Sequence, residues 1–182
     1  ALVASQTTGN AGGTFAAAGV APAPVNGTFA LTTSIDAIVG GAGDDTLVVG
    51  AALDTSSSLF AISGVENIDF NAASASLTMK ASQFANNNTV YLTGDGDDSF
   101  QVNASSTTGS TINGTNVTVE TTQEVTITYL AAAKADTITG GAADETISAG
   151  ASAGSGGGAD VYDGGAGTDT FNAVGAKNVT ET

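Results

Sequence analysis

The chain has 182 residues, of which 18 are acidic and only 3 are basic, so its formal net charge is −15 at pH 7. This balance argues against nucleic acid and anionic membrane surfaces as partners, and it favours metal cations. His and Cys are absent, which removes the usual zinc ligands and nucleophile–base pairs, so we expect no enzyme. No apolar run is long enough to predict a membrane span, and the start without Met predicts a processed product or fragment.

Residues 1–30 contain both prolines of the chain, in the segment "APAPVNG". Proline lacks a backbone N–H and disfavours helix, so we predict an extended linker that leads into a strand at Thr28 to Thr32. The later pattern predicts two further parts, namely a β-solenoid with interrupted repeats over 31–130 and a two-coil β-roll over 131–182.

The segment Gly40 to Val48, "GGAGDDTLV", fills every position of the nine-residue pattern G-G-x-G-x-D-x-U-x, where U is a large apolar residue. That pattern is the calcium-binding unit of parallel β-rolls. Its glycines permit positive φ and turn carbonyl oxygens to one side, and calcium takes its ligands from such carbonyls and from carboxylates. Asp36 stands nine residues before Asp45, which predicts two units in register, and Leu47 is predicted to point inward.

The middle of the chain predicts further strands. One runs from Val65 to Phe70, and the alternation in "SLTMKASQF" favours a strand over a helix. The turn "GDGDD" over 94–98 places Asp95, Asp97 and Asp98 close together, where their charges repel unless cations screen them. Thr/Val alternation over 105–130 predicts two or three more strands, with a hairpin or coil turn at "NG" over 113–114.

The last third is the most regular part. Asp136 stands nine residues before Glu145, and Asp160 stands nine before Asp169. The two pairs are 24 residues apart, and the flexible tract "GASAGSGGGA" absorbs the excess over two nine-residue units. We therefore predict that Asp136 lies beneath Asp160 and Glu145 beneath Asp169 in two stacked coils.

The units at 40–48, 94–101, 140–148 and 164–172 resemble the hemolysin-type repeats-in-toxin family, although only the first and the last are complete. The Ala/Thr/Val-rich strands and the segment "GVENIDF" resemble the surface-layer proteins of Gram-negative bacteria. The resemblance implies an all-β fold, a right-handed parallel β-roll or β-helix that folds on binding calcium. It also implies export by type I secretion, an extracellular or cell-surface location and assembly into a surface layer (S-layer).

In that family, turn carbonyls and motif aspartates bind calcium between stacked coils. Carried over to this sequence, the calcium ligands fall on Asp36, Gly40, Ala42, Asp44, Asp45, Gly94, Asp95, Gly96, Asp97, Asp98, Asp136, Gly140, Ala142, Asp144, Glu145, Asp160, Gly164, Ala166 and Asp169. Two departures from the pattern matter. Ala143 for glycine and Glu145 for aspartate predict a weakened or altered site in the third unit, and the long interruptions between units leave a β-helix or sandwich open as an alternative to an uninterrupted roll.

Plainer alternatives remain at this point. Glycine and aspartate make good turns without any metal, and a β-sandwich with calcium-bearing turns is the alternative fold. A glycosidase-like use of the paired carboxylates is disfavoured, because the turns are expected to be exposed to solvent rather than to line a pocket. The leading function is a structural protein that self-associates into a surface layer or filament. The alternative is an adhesin module that binds a glycan, such as a cell-surface polysaccharide, or a protein ligand.

Overall fold

The computed structural model describes residues 3–4, 14–15, 28–30, 37–40, 44–56, 61–87, 90–94, 97–120, 125–149, 159–172 and 179–181. The elements in chain order are β1 (Val3–Ala4), β2 (Thr14–Phe15), β3 (Thr28–Ala30), β4 (Ala37–Val39), β5 (Thr46–Val49), β6 (Ala52–Asp54), β7 (Ala61–Ser63), β8 (Asn67–Phe70), β9 (Ser76–Lys80), α1 (Ala81–Phe84), β10 (Val90–Thr93), β11 (Ser99–Asn103), β12 (Thr111–Asn113), β13 (Val117–Val119), β14 (Thr126–Leu130), β15 (Thr137–Thr139), β16 (Glu145–Ser148), β17 (Asp160–Asp163), β18 (Thr170–Asn172) and β19 (Val179–Glu181).

These strands stack in parallel to form a β-solenoid with three sides. Side 1 has the strand order β1-β3-β5-β8-β10-β13, and side 2 has the order β18-β16-β14-β11-β9-β6. Side 3 consists of two sheets, β2-β4-β7 and β12-β15-β17-β19. The parallel pairing of the described strands confirms the predicted solenoid, and the alternative β-sandwich, which would be built from antiparallel sheets, is wrong.

The number of sides changes along the solenoid. Near the start the chain alternates between sides 1 and 3, in the middle it visits all three sides in turn, and from β14 onwards it alternates between sides 2 and 3. Coil length follows this change: 18 residues separate Thr28 from its stacked partner Thr46, whereas 27 separate Val90 from Val117. A nine-residue unit therefore supplies one side, and coils made of two such units are two-sided.

Helix α1 corrects one prediction. The segment "SLTMKASQF" was predicted to be a strand, and β9 confirms this for its first five residues, but the last four form α1. The helix contacts β7 and β12 and thus bridges the gap in side 3 where a coil lacks a strand. The Phe84 ring is buried, with its centroid 5.9 Å from that of Phe100, so filling the interior explains why the alternation stops here.

The interior is filled by columns of apolar side chains that stack from coil to coil. On side 2, Leu77, Phe100 and Ile127 lie over one another, and each is fully buried. Burial of each such side chain stabilises the fold by about 1.5–3 kcal/mol. Leu47 is also fully buried, as predicted.

Two further predictions concern connections. The turn at Asn113 and Gly114 is a coil turn rather than a hairpin, because it joins β12 to β13 on a different side. At the predicted boundary at residue 30, β1 pairs with β3, so strands within residues 1–30 belong to the solenoid sheets. At the predicted boundary at residue 130, strands before and after it share side 2. The division at residues 30 and 130 stays a prediction. The tract over 150–158 lies outside the described residues.

Candidate metal centre

Two acidic turns near the C-terminal end lie one on top of the other. The backbone N–H of Ala166 donates to the backbone carbonyl of Gly141 at 2.8 Å, and the backbone N–H of Gly140 donates to the backbone carbonyl of Asp163 at 2.7 Å. The backbone N–H of Thr168 donates to the carboxylate of Asp144 at 2.7 Å. The turns over 140–144 and 164–168 therefore stack as the spacing predicts; we call them, with Glu145 and Asp169, the C-terminal corner.

Glu145 and Asp169 form the inner part of this corner. The backbone N–H of Glu145 donates to Asp169 Oδ1 at 3.0 Å, which confirms that Glu145 lies beneath Asp169. The carboxylate of Glu145 accepts the backbone N–H of Gly141, 3.2 Å from each of its oxygens. Only 2% of Glu145 is exposed, and it pairs in register with Ile127 of the coil below. An acid thus continues a column that is apolar in the coils beneath it.

The electrostatics of the C-terminal corner favour a cation. The pKa of Glu145 is raised to about 7: burial is the largest cause, the hydrogen bond from Gly141 opposes it, and the carboxyl group of Asp169 adds to it. Asp144 is exposed and adds another negative charge to the same turn. Acids held this close are stable only if a proton or a cation lies between them.

A second acidic pair lies at the start of the side 3 strands. The backbone N–H of Asp136 donates to Asp160 Oδ1 at 2.9 Å, as predicted from the 24-residue spacing. The Asp136 carboxylate accepts the backbone N–H groups of Ser110 and Ala132, both at 2.8 Å. Burial raises the pKa of Asp136, the two hydrogen bonds lower it, and the charge of Asp160 raises it. The hydroxyl of Tyr162 donates to Asp160 Oδ2 at 3.2 Å.

The first motif has an acidic partner that the sequence did not predict. The backbone N–H of Asp45 donates to Glu66 Oε2 at 2.9 Å, which repeats the contact between Glu145 and Asp169. The signal was present but weak: "ENI" at 66–68 follows the same acid-x-apolar order, with glutamate for aspartate and without a glycine-rich turn before it. We call the group of Gly40, Asp45, Gly64 and Glu66 the N-terminal corner.

In the middle motif, Asp98 stacks against residues without charge. The register of β11 places Asp98 between Ala75 and Val125 in the stack, and the backbone N–H of Ala75 donates to Asp98 Oδ1 at 2.8 Å. Gly94 is buried and Asp97 is exposed. The predicted ligands Asp36, Ala42, Asp95 and Gly96 lie outside the described residues.

The predicted exposure of the acidic turns is wrong for their inward-facing members. Asp45, Asp98, Asp136, Glu145 and Asp160 are each 1–3% exposed. The reason is their position: each stands at or just before the first residue of a strand, where the side chain already points into the solenoid. Asp44 is exposed, as are the turn residues Ala142 and Ala166.

The donor set fits calcium. A Cβ on Gly140 would lie 2.6 Å from Glu145 Oε2 and would collide with the carbonyl oxygen of Gly164. A Cβ on Gly40 would lie 2.7 Å from Asp45 Oδ2 and would collide with the carbonyl oxygen of Gly64. At both corners, glycine lets a carboxylate oxygen and a carbonyl oxygen approach the backbone closely, and calcium prefers such ligands.

Oxygens besides those of the acidic side chains are needed to complete either corner. Within the described ranges, no group of three or more acidic side chains is arranged to hold a metal ion. A cation in these corners would need carbonyl or water oxygens as further ligands, which calcium commonly uses.

Comparison with known families agrees with this geometry. Residues 32–55, 128–154 and 155–171 match the family model described as RTX calcium-binding nonapeptide repeat (4 copies), which supports a hemolysin-type repeat protein. Such repeats bind Ca2+, and proteins that carry them are typically secreted. The matched segments include Asp45 and the C-terminal corner, whereas Glu66 and the middle motif lie outside them.

The other comparisons add no relative. No curated protein and no solved structure matches the chain significantly. In the described part of the chain, no helix is long and apolar enough to cross a membrane.

Proposed function

We propose that this protein is a secreted, calcium-stabilised structural protein that self-assembles into a surface layer or filament on a bacterial cell, after export by type I secretion. The role is non-enzymatic and the principal partner is a second copy of the chain. The observation that supports it best is the open edge of β13, where side 1 ends within the described chain while the solenoid continues.

The edge of β13 is suited to pairing with another strand. Val90 donates its backbone N–H to Asn116, and Glu120 donates its own to Leu92, so alternate residues of β13 face β10. Val119 therefore directs its backbone groups away from β10. The next coil crosses from side 3 directly to side 2 and supplies no strand above β13. Unpaired edge groups of this kind readily accept a strand from another chain.

A groove lies along this edge. Its volume is about 540 Å3, and Thr118, Val119, Glu120 and the turn of the C-terminal corner line it. Glu120 and Asp144 make the groove acidic, and the whole chain carries a charge of −15, so two copies repel each other unless cations screen them. Calcium would then promote assembly as well as folding.

Electron microscopy and sedimentation of the purified chain in millimolar calcium and in chelator test the proposal. We expect sheets or fibres in calcium and dispersed molecules in chelator. Val119→Pro removes the outward backbone N–H and should keep the protein dispersed in calcium, whereas Val119→Thr keeps the N–H and should assemble. A wild-type chain that stays monomeric in calcium, or a proline variant that assembles normally, would reject the proposal.

A second groove favours the adhesin role as the second candidate. Its volume is about 730 Å3, and it lies beside α1. Seven of its 13 lining residues are Ser or Thr, and Asn103 and Lys80 also line it; such groups suit a polar ligand such as a polysaccharide. Ser106→Trp would fill this groove, and Thr115→Trp, at an exposed site outside it, is the matched control. Polysaccharide binding by a monomer that only the first variant abolishes would favour this role.

A further inference from the structure

One buried hydroxyl of the described chain has no partner. Tyr129 is fully buried, and its hydroxyl is the buried side-chain polar atom for which the described residues offer no hydrogen bond. Leaving such a group unsatisfied costs about 1–3 kcal/mol, and an orphan of this kind indicates a missing ion or water. Tyr162, the other buried tyrosine, does not share this problem, because its hydroxyl donates to Asp160.

The orphan hydroxyl lies beneath the C-terminal corner. Tyr129 projects from side 2 across the interior to Gly114, where an added Cβ would collide with the hydroxyl. Gly141 lies above Gly114. A Cβ added at Gly141 would be 2.6 Å from the carbonyl oxygen of Gly114, 3.1 Å from the carbonyl oxygen of Val117 and 3.3 Å from Glu145 Oε1. Oxygens from two successive coils therefore surround the place that a side chain at Gly141 would take.

The charge at this place is strongly negative. Burial raises the pKa of Tyr129 well above its usual value, and the charges of Glu145 and Asp169 raise it further. The phenol is thus neutral at any ordinary pH and keeps its hydrogen as a donor. Its neighbours are a carboxylate and carbonyl oxygens, which are all acceptors, so the group as a whole lacks positive charge.

We propose that the Tyr129 hydroxyl completes the calcium site of Glu145 and Asp169 from inside the solenoid, by hydrogen bonding to a water held on the ion. The site thus extends inward at the step where the three-sided coils give way to two-sided coils. The inference rests on calcium binding at the C-terminal corner and does not depend on assembly.

Tyr129→Phe provides a test in which the sign of the effect depends on calcium. The substitution deletes only an unpartnered oxygen, so in chelator the melting temperature should be unchanged or higher. In calcium the variant should lose one hydrogen bond of the occupied site, so its calcium-induced rise in melting temperature should be smaller. Its calcium affinity should fall by about tenfold, which is the loss expected for a group supporting a metal site. Tyr91→Phe, at an exposed site, is the matched control.

Terbium luminescence gives an independent readout. The chain has three tyrosines and no tryptophan, so tyrosine is the only strong sensitiser for terbium bound at a calcium site. Tyr129→Phe should remove the part of the sensitised emission that Asp169→Asn also removes, while Tyr91→Phe should preserve it. Tyr162→Phe should affect only the emission that depends on Asp160.

Two outcomes would overturn the inference. In the first, the calcium response and terbium emission of Tyr129→Phe equal those of the wild type while Asp169→Asn lowers both. That outcome would reject the role of the hydroxyl but would not affect the calcium site or the proposed assembly. The other is an equal fall in melting temperature in chelator and in calcium, which would assign the hydroxyl to a structural water unrelated to the ion.

Discussion

Glu145 lies directly over Ile127 in the interior of side 2, so a carboxylate continues a column of apolar side chains. The next residue of the column is Asp169, which accepts the backbone N–H of Glu145. This change from apolar to acidic residues coincides with the change from three-sided to two-sided coils. The solenoid therefore holds a pair of acids where the coils below hold apolar side chains in this column of side 2, and a bound cation would offset the cost.

Replacing the acid by an apolar residue should separate stability from calcium binding. We expect Glu145→Leu to raise the unfolding free energy in chelator by about 1–3 kcal/mol, because it removes a buried carboxylate and restores the column. The same variant should lose the contribution of the C-terminal corner to the calcium-induced stabilisation. Denaturant unfolding in chelator and in calcium measures both effects, and a variant that is less stable in chelator would contradict the expectation.

The raised pKa of Glu145, about 7, predicts a pH dependence of stability in chelator. Since the folded state binds the proton more tightly than the unfolded state, the contribution of Glu145 to stability should be fully present only below its ordinary pKa of 4.5. It should fall as the pH rises to about 7, by at most about 3 kcal/mol, and then level off. Glu145→Gln should flatten this part of the profile, while Asp54→Asn, at an exposed site, should leave it unchanged. Calcium competes with the proton, so calcium affinity should rise over the same pH range.

The acids should differ in their importance for calcium. Asp169→Asn should reduce the calcium-induced rise in melting temperature, because its partner in the stack is another acid. Asp98→Asn should leave the rise nearly unchanged, because its stacked neighbours are Ala75 and Val125, and the new amide oxygen can still accept the N–H of Ala75. Calorimetric melting over a calcium titration measures the difference. Equal losses for the two variants would show that the middle motif binds calcium although the stacked neighbours of Asp98 carry no charge.

Glu66 should behave as a calcium ligand although it lies outside the matched repeats. We expect Glu66→Gln to weaken the calcium response about as much as Asp45→Asn, because Glu66 Oε2 accepts the backbone N–H of Asp45 and Asp45 Oδ2 lies beside Gly40. A double variant should lose little more than either single variant, since residues of one site are not additive. Isothermal titration with calcium gives the number of sites and their affinities. An unchanged titration for Glu66→Gln would remove it from the N-terminal corner.

The amino-acid sequence by itself determined the repeat and its local consequences. The nine-residue spacing gives strands that follow glycine-acid turns, an inward Leu47, and the stacking of Asp136 under Asp160 and of Glu145 under Asp169. These features depend only on residues close together in the chain or on two units of matching length, so the pattern suffices to predict them.

The tertiary structure alone decided which coils meet. The number of sides in a coil depends on the length of its connections, which vary without a sequence signal, and this number sets the neighbour of every inward side chain. For this reason the pairing of Asp45 with Glu66, the uncharged stacked neighbours of Asp98, the helix that replaces a strand and the position of Tyr129 beneath the acids appear only once the coils are stacked.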